Sequence, residues 1–365
     1  MQALRIYLEH LRKTFLHRVK GQVTAVDDVV LDVFPGELLT LLGPSGCGKT
    51  TTLRMVAGFE KPSQGRIFFG ADDVTDLMVN QRSLGFVFQN YALFPHLSIF
   101  ENVAYGLRVR KLPGPEIGRA VGEVLRLVGL EGYEQQFPNQ ISGGEQQRAA
   151  LARAIVIRPQ VLLFDEPLSN LDAKLRVRTR GEIRRLQKNL AITSIYVTHD
   201  QEEAMAISDR IAVMNQGRII QIGTAEELYF RPHTEFVAKF IGKINTLTGR
   251  MVEAGTDGFT LAILGHPYRL TGPLSLKPPS GDLKIYVRPE MVQLTSDLSS
   301  AHFQARIAER TFLGEKVEYF LEASGCSLWA SAPTSASQQT FGPQETVGVR
   351  LSADHLLLLE EEMTR

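Results

Sequence analysis

A glycine-rich stretch followed by lysine and threonine is the clearest candidate for chemistry in this sequence. It lies between an apolar segment at 38–42 and a helix pattern that starts at Lys49. Glycines let backbone N–H groups surround phosphate oxygens, and the helix N-terminus adds a favourable dipole. Lys49 would then reach the β- and γ-phosphates of a nucleotide, and Thr50 would bind Mg²⁺. The alternative is a turn that contains Gly-Lys-Thr by chance. The predicted phosphate loop is Gly43, Pro44, Ser45, Gly46, Cys47, Gly48, Lys49, Thr50 and Thr51.

Two acidic residues end a second apolar run, which spans 161–164 and leads into Asp165 and Glu166. An unalternating apolar run predicts a strand buried on both faces, and ligands bind at the carboxyl ends of such strands. We expect Asp165 to hold Mg²⁺ and Glu166 to act as the general base that polarises an attacking water. An acidic strand end that stands alone is usually a solvated turn, but a phosphate loop in the same chain favours the catalytic interpretation.

The elements that must position these residues follow an α/β pattern over residues 1–242. A mostly helical stretch at about 90–158 predicts an inserted helical subdomain. Together these features predict the α/β fold of a P-loop NTPase. Strands are predicted at 29–34, 38–42, 84–89, 161–164, 194–197 and 211–214.

The sequence pattern changes after residue 242. Residues 243–365 are predicted to form a small all-β barrel of the OB type. Short alternating segments at 282–287, 316–321 and 346–351 are separated by stretches rich in Gly, Pro and Ser, at 272–282 and 331–343. Regularly spaced short strands with turn signals are typical of such barrels.

Bulk composition bounds the function. The 365 residues contain 40 Lys plus Arg and 40 Asp plus Glu, so a net charge of zero gives no basis for nucleic-acid binding. We expect neither a signal peptide nor a membrane-spanning helix, because no apolar run approaches the roughly 20 residues that a span needs. Cys47 and Cys326 lie far apart, which favours a reducing, cytosolic setting.

Further motifs resemble those of one family. The segment Ile141-Ser142-Gly143-Gly144-Glu145 resembles LSGGQ, the signature of ABC ATPases. In the same order as in that family, Gln89 resembles the Q-loop glutamine, Asp172 the D-loop aspartate and His199 the switch histidine. Phe15 is similar to the aromatic residue that stacks on adenine. Within the chain alone, Gln89 is also compatible with a surface amide, and His199 and Phe15 with core positions.

The resemblance implies a mechanism. Gln89 and His199 would join Glu166 as catalytic residues, and Gln89 would complete the Mg²⁺ site of Thr50 and Asp165. In the family, the signature of one subunit closes on the phosphate loop of another. The resemblance therefore implies a homodimer that encloses two ATP molecules, with Ser142, Gly143, Gly144 and Glu145 acting in trans. Glu145 departs from the family's Gln, and its charge is expected to weaken nucleotide binding slightly.

Partners follow from the same resemblance. The segment 285–292 is similar to a strand in the TOBE-like domain of ATPases that serve binding-protein-dependent importers. The apolar segment 91–107 either packs the helical subdomain, forms a socket for a membrane subunit, or does both. We expect a peripheral subunit at the cytoplasmic face of the inner membrane, acting with two permease subunits and, indirectly, an extracytoplasmic solute-binding protein.

The transported solute is the least determined property. The sequences of segments 57–62, 146–155 and 186–209 resemble those in the ATPases of ferric-iron importers and their polyamine relatives. Ferric iron is the first expectation, with polyamine, sugar, sulfate or another anion as alternatives. A soluble ABC ATPase of DNA repair or translation is the alternative from another class, and such proteins often carry two ATPase modules or a long coiled coil.

Overall fold

The computed structural model describes residues 3–19, 21–254, 258–271, 282–334 and 340–359. The chain divides into a first unit, Met1–Leu228, and a second unit, Tyr229–Arg365. Most of the predicted turn-rich stretch 272–282 and residues 335–339 of the other lie outside the described residues. The elements of the first unit are β1 (Ile6–His17), β2 (Gly21–Val33), β3 (Leu38–Leu42), α1 (Lys49–Ala57), β4 (Gln64–Phe69), β5 (Asp72–Asp73), β6 (Leu84–Val87), α2 (Ile99–Val109), α3 (Gly114–Leu127), α4 (Gly143–Ile155), β7 (Val161–Asp165), α5 (Ala173–Leu190), β8 (Thr193–Thr198), α6 (Gln201–Ile207), β9 (Arg210–Asn215), β10 (Arg218–Gly223) and α7 (Ala225–Phe230), which ends in the second unit.

The central sheet has the strand order β10-β9-β3-β8-β7-β6. Strands β9, β3, β8, β7 and β6 run parallel, and β10 is antiparallel to β9. Every residue of β3 and β8 is buried. These unalternating apolar strands are what a parallel sheet covered on both faces requires, so the predicted α/β fold is confirmed.

A second sheet, ordered β2-β1-β4-β5, is built on the long antiparallel hairpin of β1 and β2. Near the end of this hairpin Leu16 pairs with Gln22, and His17 pairs with Gly21. Register shifts interrupt the pairing, and His10 and Asp28 adopt positive φ angles of 46° and 57°. Such irregularities break the alternation that predicts a strand.

The predicted inserted helical subdomain corresponds to α2, α3 and α4, which lie between β6 and β7 in the chain. They pack through fully buried side chains such as Val103 of α2, Val121 and Leu125 of α3, and Ala149 of α4. Ser98 begins α2 by accepting the N–H of Glu101, whose carboxylate accepts the Ser98 N–H in return. This reciprocal capping fixes the start of the helix. In the described residues, no helix is long and apolar enough to cross a membrane.

The elements of the second unit are α8 (Glu235–Phe240), β11 (Asn245–Ala254), β12 (Gly258–Ile263), β13 (His266–Thr271), β14 (Asp282–Val287), β15 (Gln293–Thr295), β16 (Phe303–Phe312), β17 (Lys316–Ala323), β18 (Cys326–Pro333) and β19 (Thr346–Arg350). Apart from α8, the end of α7 and short 3-10 turns, the regular structure in its described residues is β, as the sequence predicts. Its strands form one antiparallel sheet in the order β13-β12-β11-β14 and another in the order β15-β19-β16-β17-β18. Side chains from both sheets share one apolar core.

The division between the units precedes the boundary near residue 242 that the sequence suggests. Arg288 explains the difference, because its guanidinium is buried and donates to the backbone oxygens of Ala238, Gly242 and Lys243 at 2.9–3.2 Å. It also donates to the Tyr229 oxygen at 3.0 Å. These bonds attach α8 and the segment before it to the β-rich unit, an arrangement that no local sequence pattern reveals.

Candidate functional site

The candidate residues lie where strands of the central sheet end. The phosphate loop follows β3, Asp165 ends β7, His199 follows β8, and Gln89 comes two residues after β6. Because β3, β8, β7 and β6 run parallel, their carboxyl ends share one edge of the sheet. This edge is where ligands bind in open α/β sheets.

The phosphate loop is held tightly against neighbouring backbone. A Cβ atom on Gly48 would lie 2.4 Å from the Ala25 oxygen, and one on Gly43 would lie 2.3 Å from the Met214 oxygen. Gly48 also has a φ of 104°, at the residue directly before α1. Both glycines are therefore required by the close approach of neighbouring backbone, independently of the role in binding phosphate that the sequence predicts.

The amine of Lys49 is folded back onto this loop. Its Nζ donates to the Gly43 oxygen at 2.7 Å and to the Pro44 oxygen at 3.0 Å, and the residue is 5% exposed. The ammonium group thus stands inside the curve of the loop, with two carbonyl groups as its acceptors. Burial raises the pKa of the neighbouring Cys47 thiol, which remains neutral near pH 7.

Two oxygen ligands for a cation meet at this edge. Thr50 Oγ1 donates to Asp165 Oδ1 at 3.1 Å, although the two residues are 115 positions apart in the chain. Burial raises the pKa of Asp165, and the Thr50 hydroxyl opposes that shift. Gln89 and Asp165 line one cavity of about 330 Å³. A hydroxyl, a carboxylate and an amide oxygen are ligands that fit Mg²⁺.

Glu166 lies at the centre of a small polar cluster. Its carboxylate Oε2 is 3.1 Å from His199 Nδ1 and 3.5 Å from Gln89 Nε2. Its N–H donates to the Val197 oxygen at 3.0 Å, which fixes the backbone to β8. The φ angle of 44° is unusual for a residue with a side chain, and such strain is concentrated at functional sites. The structure therefore brings together the three residues predicted to be catalytic.

The D-loop, residues 169–172, forms hydrogen bonds to the backbone of two residues of this cluster, Gln89 and Glu166. Asn170 Nδ2 donates to the backbone oxygen of Gln89 at 3.0 Å, and Ser169 Oγ donates to the backbone oxygen of Glu166 at 3.0 Å. The predicted D-loop aspartate, Asp172, accepts the N–H of Leu175 at 2.9 Å and so caps α5. The positions of Gln89 and Glu166 are therefore tied to the start of α5.

Arg176 is a residue that sequence reasoning missed. Its guanidinium donates to Asp200 Oδ2 at 3.2 Å and to the Leu171 oxygen at 3.2 Å. It thus connects the D-loop to the residue directly after His199. No sequence signal indicates this role, because Arg176 and Asp200 come together only through the packing of α5 against α6.

Glu203, which sequence reasoning also missed, forms hydrogen bonds to both chain neighbours of His199, the predicted switch histidine. It is 4% exposed, accepts the Thr198 hydroxyl at 2.7 Å and also accepts the Tyr196 hydroxyl. Burial raises its pKa. The N–H of Glu203 donates to Asp200 Oδ1 at 3.0 Å. His199 therefore lies between two residues whose side chains are both fixed by hydrogen bonds.

The signature segment begins α4 with a reciprocal cap. Glu145 Oε2 accepts both the N–H and the hydroxyl of Ser142 at 2.7 Å, and Ser142 Oγ accepts the Glu145 N–H at 3.4 Å. The Ser142 hydroxyl is the main cause that lowers the pKa of Glu145, with a contribution from the Tyr133 hydroxyl. The sequence suggests that Glu145 contacts nucleotide, but in this structure its carboxylate accepts hydrogen bonds from Ser142 of the same chain.

The glycines of the signature pack against the D-loop and the first turn of α5. A Cβ atom on Gly143 would lie 3.2 Å from a methyl carbon of Leu171, and one on Gly144 would lie 2.9 Å from Leu175. The phosphate loop packs instead against Ala25 and Met214. The two predicted phosphate-binding segments of one chain are therefore supported by different elements.

Phe15 lies near the end of the β1–β2 hairpin, where it pairs with Val23. It is 39% exposed, so it is not a core residue, and the Lys13 ammonium lies 4.9 Å from its ring centre. The same hairpin carries Ala25, which contacts the phosphate loop at Gly48. An exposed aromatic face on the strands that border the loop is suited to stacking on a flat base.

Comparisons with known proteins agree with this geometry. Residues 26–169 match the family model described as "ABC transporter", and residues 285–359 match "TOBE domain". The Fe(3+) ions import ATP-binding protein FbpC of Vibrio cholerae is 47% identical over 86% of each chain. The spermidine/putrescine import ATP-binding protein PotA of Rubrobacter xylanophilus is 45% identical over 97% of this chain and 93% of that protein.

Solved structures extend the comparison to the fold. Two dimeric structures of the bacterial ABC transporter cassette MJ0796, one of them a post-hydrolysis state bound to ADP and Pi, match with a TM-score of 0.54 at 30% identity. Each match covers 60% of this chain and 98% of the other. The resemblances to ABC ATPases and to a TOBE-like domain are thereby confirmed. With a nucleotide-binding unit and a TOBE domain in one chain, this protein belongs to the ATP-hydrolysing, ATP-binding subunits of ABC transporters.

Proposed function

We propose that the chain powers solute import by hydrolysing ATP at the carboxyl edge of its parallel sheet. The observation that carries this proposal is the convergence of Glu166, His199 and Gln89 beside the Thr50–Asp165 pair. These groups come from the carboxyl ends of the three neighbouring strands β6, β7 and β8 and from the phosphate loop. Phosphoryl transfer to water depends on positioning and charge stabilisation, which such a rigid arrangement supplies.

In this mechanism Glu166 is the general base that takes a proton from the attacking water. His199 and Gln89 face the same carboxylate oxygen and hold it in one orientation. Lys49 exchanges its loop carbonyls for the β- and γ-phosphates. Thr50, Asp165 and Gln89 would hold Mg²⁺, which neutralises charge on the phosphates when it is bound. Phe15 would stack on adenine.

A complete site requires a second copy of the chain. Ser142 and the N–H groups after it form an anion-binding helix start, and so does the phosphate loop around Lys49. We infer that the signature of one subunit, Ser142 to Glu145, closes on the phosphate loop of the other. The dimeric form of the matched MJ0796 structures supports this arrangement.

Mixed dimers test the arrangement in trans. Lys49→Ala damages one half of each site, and Ser142→Phe damages the other half. We expect either homodimer to be inactive. A mixture should regain a substantial share of wild-type ATPase activity, because a mixed dimer contains one intact phosphate loop opposite one intact signature. If the mixture stays as inactive as the separate variants, the sites are not assembled from two chains.

A surface on the helical subdomain is suited to a membrane partner. Phe94 and Tyr105 have ring centres 4.8 Å apart, and Tyr105 and Val109 are 46% and 67% exposed. Arg153 fixes the backbone next to this surface by donating to the backbone oxygens of Tyr91 and Ala92 at 2.7–2.8 Å. The inner residues of the segment, Val103 and Leu107 among them, belong to the core. We propose that the outer residues form the socket for a permease subunit, so that the chain works peripherally at the cytoplasmic face of the membrane.

Ferric iron is the solute that we propose, because the similar FbpC proteins carry Fe(3+) import in their names. The similar PotA protein makes a polyamine the second candidate. Uptake of labelled ferric iron and of labelled spermidine, measured in cells with and without this chain, separates the two. Loss of iron uptake alone supports the proposal, and loss of spermidine uptake alone contradicts it.

A further inference from the structure

A cleft of about 360 Å³ lies on the first unit, away from the nucleotide edge. Its walls come from the C-terminal end of α3, the middle of α4 and one face of α5. None of the residues proposed above for catalysis, ATP binding or Mg²⁺ lines it. The cleft is large enough for a small organic molecule.

Polar groups without partners gather at this cleft. Gln147 is 1% exposed, and neither of its amide atoms has a hydrogen bond within the described part of the chain. The Thr179 hydroxyl and the Arg148 Nε are likewise buried without a partner there, and Thr179 is 2% exposed. All three residues line the cleft. Buried polar groups are normally paired, so these three side chains are available as hydrogen-bond partners for a molecule bound in the cleft.

The charged groups of the cleft favour an anion. Its lining contains three arginines, Arg148, Arg178 and Arg185, and one acidic residue, Glu182. Glu182 is 3.4 Å from Arg148 and 3.0 Å from Arg178, whereas Arg185 makes no ion pair with the residues that the structure describes. Two positive charges therefore remain uncompensated at the rim. A planar guanidinium group binds a carboxylate through two parallel hydrogen bonds.

Apolar residues complete the cleft and define the body of its ligand. Leu127, Leu151 and Leu186 line the cleft together with the polar groups. We propose that the cleft binds a small hydroxylated aromatic carboxylate. Its carboxylate pairs with Arg185, and its ring packs on the leucines. Its hydroxyl donates to the amide oxygen of Gln147 and accepts a hydrogen bond from the hydroxyl of Thr179.

The ligand would contact the two helices that begin at the signature segment and at the D-loop. Helix α4 begins at Ser142 of the signature, and α5 begins at Asp172 of the D-loop. A molecule bridging Gln147 of α4 and Thr179 of α5 therefore fixes these two helices relative to each other and alters ATP turnover. This consequence rests on the proposed function, whereas binding to the cleft does not.

Calorimetry with 4-hydroxybenzoate on the full chain, with ADP filling the nucleotide site, tests the proposal. We expect binding by the wild-type protein with a dissociation constant of about 1 mM or below. Arg185→Glu reverses a rim charge and should weaken binding by about tenfold or more. Lys174→Glu, on the same helix but outside the cleft, should leave binding unchanged. No wild-type binding, or equal binding by both variants, would overturn the proposal.

Thr179→Val provides a second test, in which thermal unfolding is measured without ligand and binding is measured separately. Valine has nearly the shape of threonine and removes a hydroxyl that has no partner, so the unfolding midpoint should rise while affinity for 4-hydroxybenzoate falls. A lower midpoint would show that the hydroxyl is already satisfied within the protein, which contradicts the proposal. Lys49→Ala should bind 4-hydroxybenzoate as the wild type does, so a failure of the ATPase proposal is distinguished from a failure of this one.

Discussion

His199 Nδ1 lies 3.1 Å from Glu166 Oε2, and this contact joins the ends of two neighbouring parallel strands. The two residues are 33 positions apart in the chain, and only the sheet brings them together. Gln89 approaches the same oxygen from the next strand, β6. One carboxylate oxygen is therefore held by two side chains.

His199→Ala should abolish most hydrolysis and leave ATP binding intact. Without the imidazole, Glu166 loses its nearer partner and the orientation needed for proton transfer. We expect kcat to fall roughly 100-fold or more, the range for losing a positioned acid–base group. Steady-state ATPase assays and ATP titrations measure the two effects. The control is His355→Ala, an exposed histidine of the second unit. Near-normal kcat in His199→Ala would exclude this role.

Glu145→Gln should lower the KM for ATP and leave kcat little changed. Glutamine retains an oxygen that can accept the Ser142 N–H, so the cap of α4 survives while the negative charge disappears. That charge stands at the helix start that a phosphate would approach, and removing it should favour ATP by roughly 0.3–1 kcal/mol. Steady-state kinetics at several salt concentrations check this prediction.

Glu145→Ala is the matched control for that prediction. It removes the charge and the cap together, and loss of a capping interaction costs about 1 kcal/mol of helix stability. Alanine should therefore lower the unfolding midpoint, which glutamine should not. An unchanged KM in Glu145→Gln would show that this carboxylate has no influence on nucleotide.

Arg176 and Asp200 should be energetically coupled in catalysis. Their contact, at 3.2 Å, joins the D-loop to the residue after His199. Arg176→Met and Asp200→Asn should each reduce kcat more than they raise KM. Asparagine still caps α6, so Asp200→Asn removes the ion pair selectively. A double-mutant cycle on kcat/KM should give a coupling of about 0.5–3 kcal/mol, and additive effects would contradict it.

The second unit should lose stability as the pH falls below about 6.5. His302 Nδ1 accepts the Leu351 N–H at 3.2 Å and faces the Tyr268 hydroxyl at 3.0 Å. Burial lowers the pKa of His302, and the nearby His266 and Arg350 lower it further. The unfolded chain therefore binds the proton at a higher pH than the folded chain does. The contribution of His302 to the free energy of unfolding is therefore fully present above the pKa that it has in the unfolded chain. It is lost as the pH falls through the lower pKa that it has in the folded chain.

Fluorescence of Trp329, the single tryptophan of the chain, reports on unfolding of this unit. The midpoint of its thermal transition should fall between pH 7 and 5 in the wild type. In His302→Gln the fall should be smaller, and in the exposed variant His355→Gln it should be unchanged. Equal pH dependence in all three proteins would rule out His302 as the cause.

The sequence predicts best those features that are both local and buried. Strand β3 and the helix starting at Lys49 lie where their apolar runs and glycine pattern place them, because full burial leaves an unalternating signal. Of the β1–β2 hairpin the sequence predicts only the strand at 29–34, since the register shifts near His10 and Asp28 break the alternation elsewhere. Motif order predicted that Gln89, Glu166 and His199 would serve one site, and parallel strands bring them together.

Residues that act through tertiary packing had no such signal. Arg176 is one of many charged residues on α5, and only the contact with Asp200 distinguishes it. The role of Glu145 was predicted from its neighbours in the family motif, whereas the actual partner, Ser142, follows from capping geometry at the start of α4. The attachment of α8 to the second unit depends on Arg288, about 50 residues later in the chain.

The most direct test of the account is Glu166→Gln, examined for ATP hydrolysis and for dimer formation in the same preparation. Glutamine preserves the shape of the side chain but cannot take a proton from water. We predict that hydrolysis falls to roughly a hundredth of the wild-type rate or less. ATP binding should persist, and size-exclusion chromatography with ATP should show a dimer that the wild type forms only transiently. Hydrolysis at the wild-type rate, or a variant that stays monomeric with ATP bound, would contradict the account.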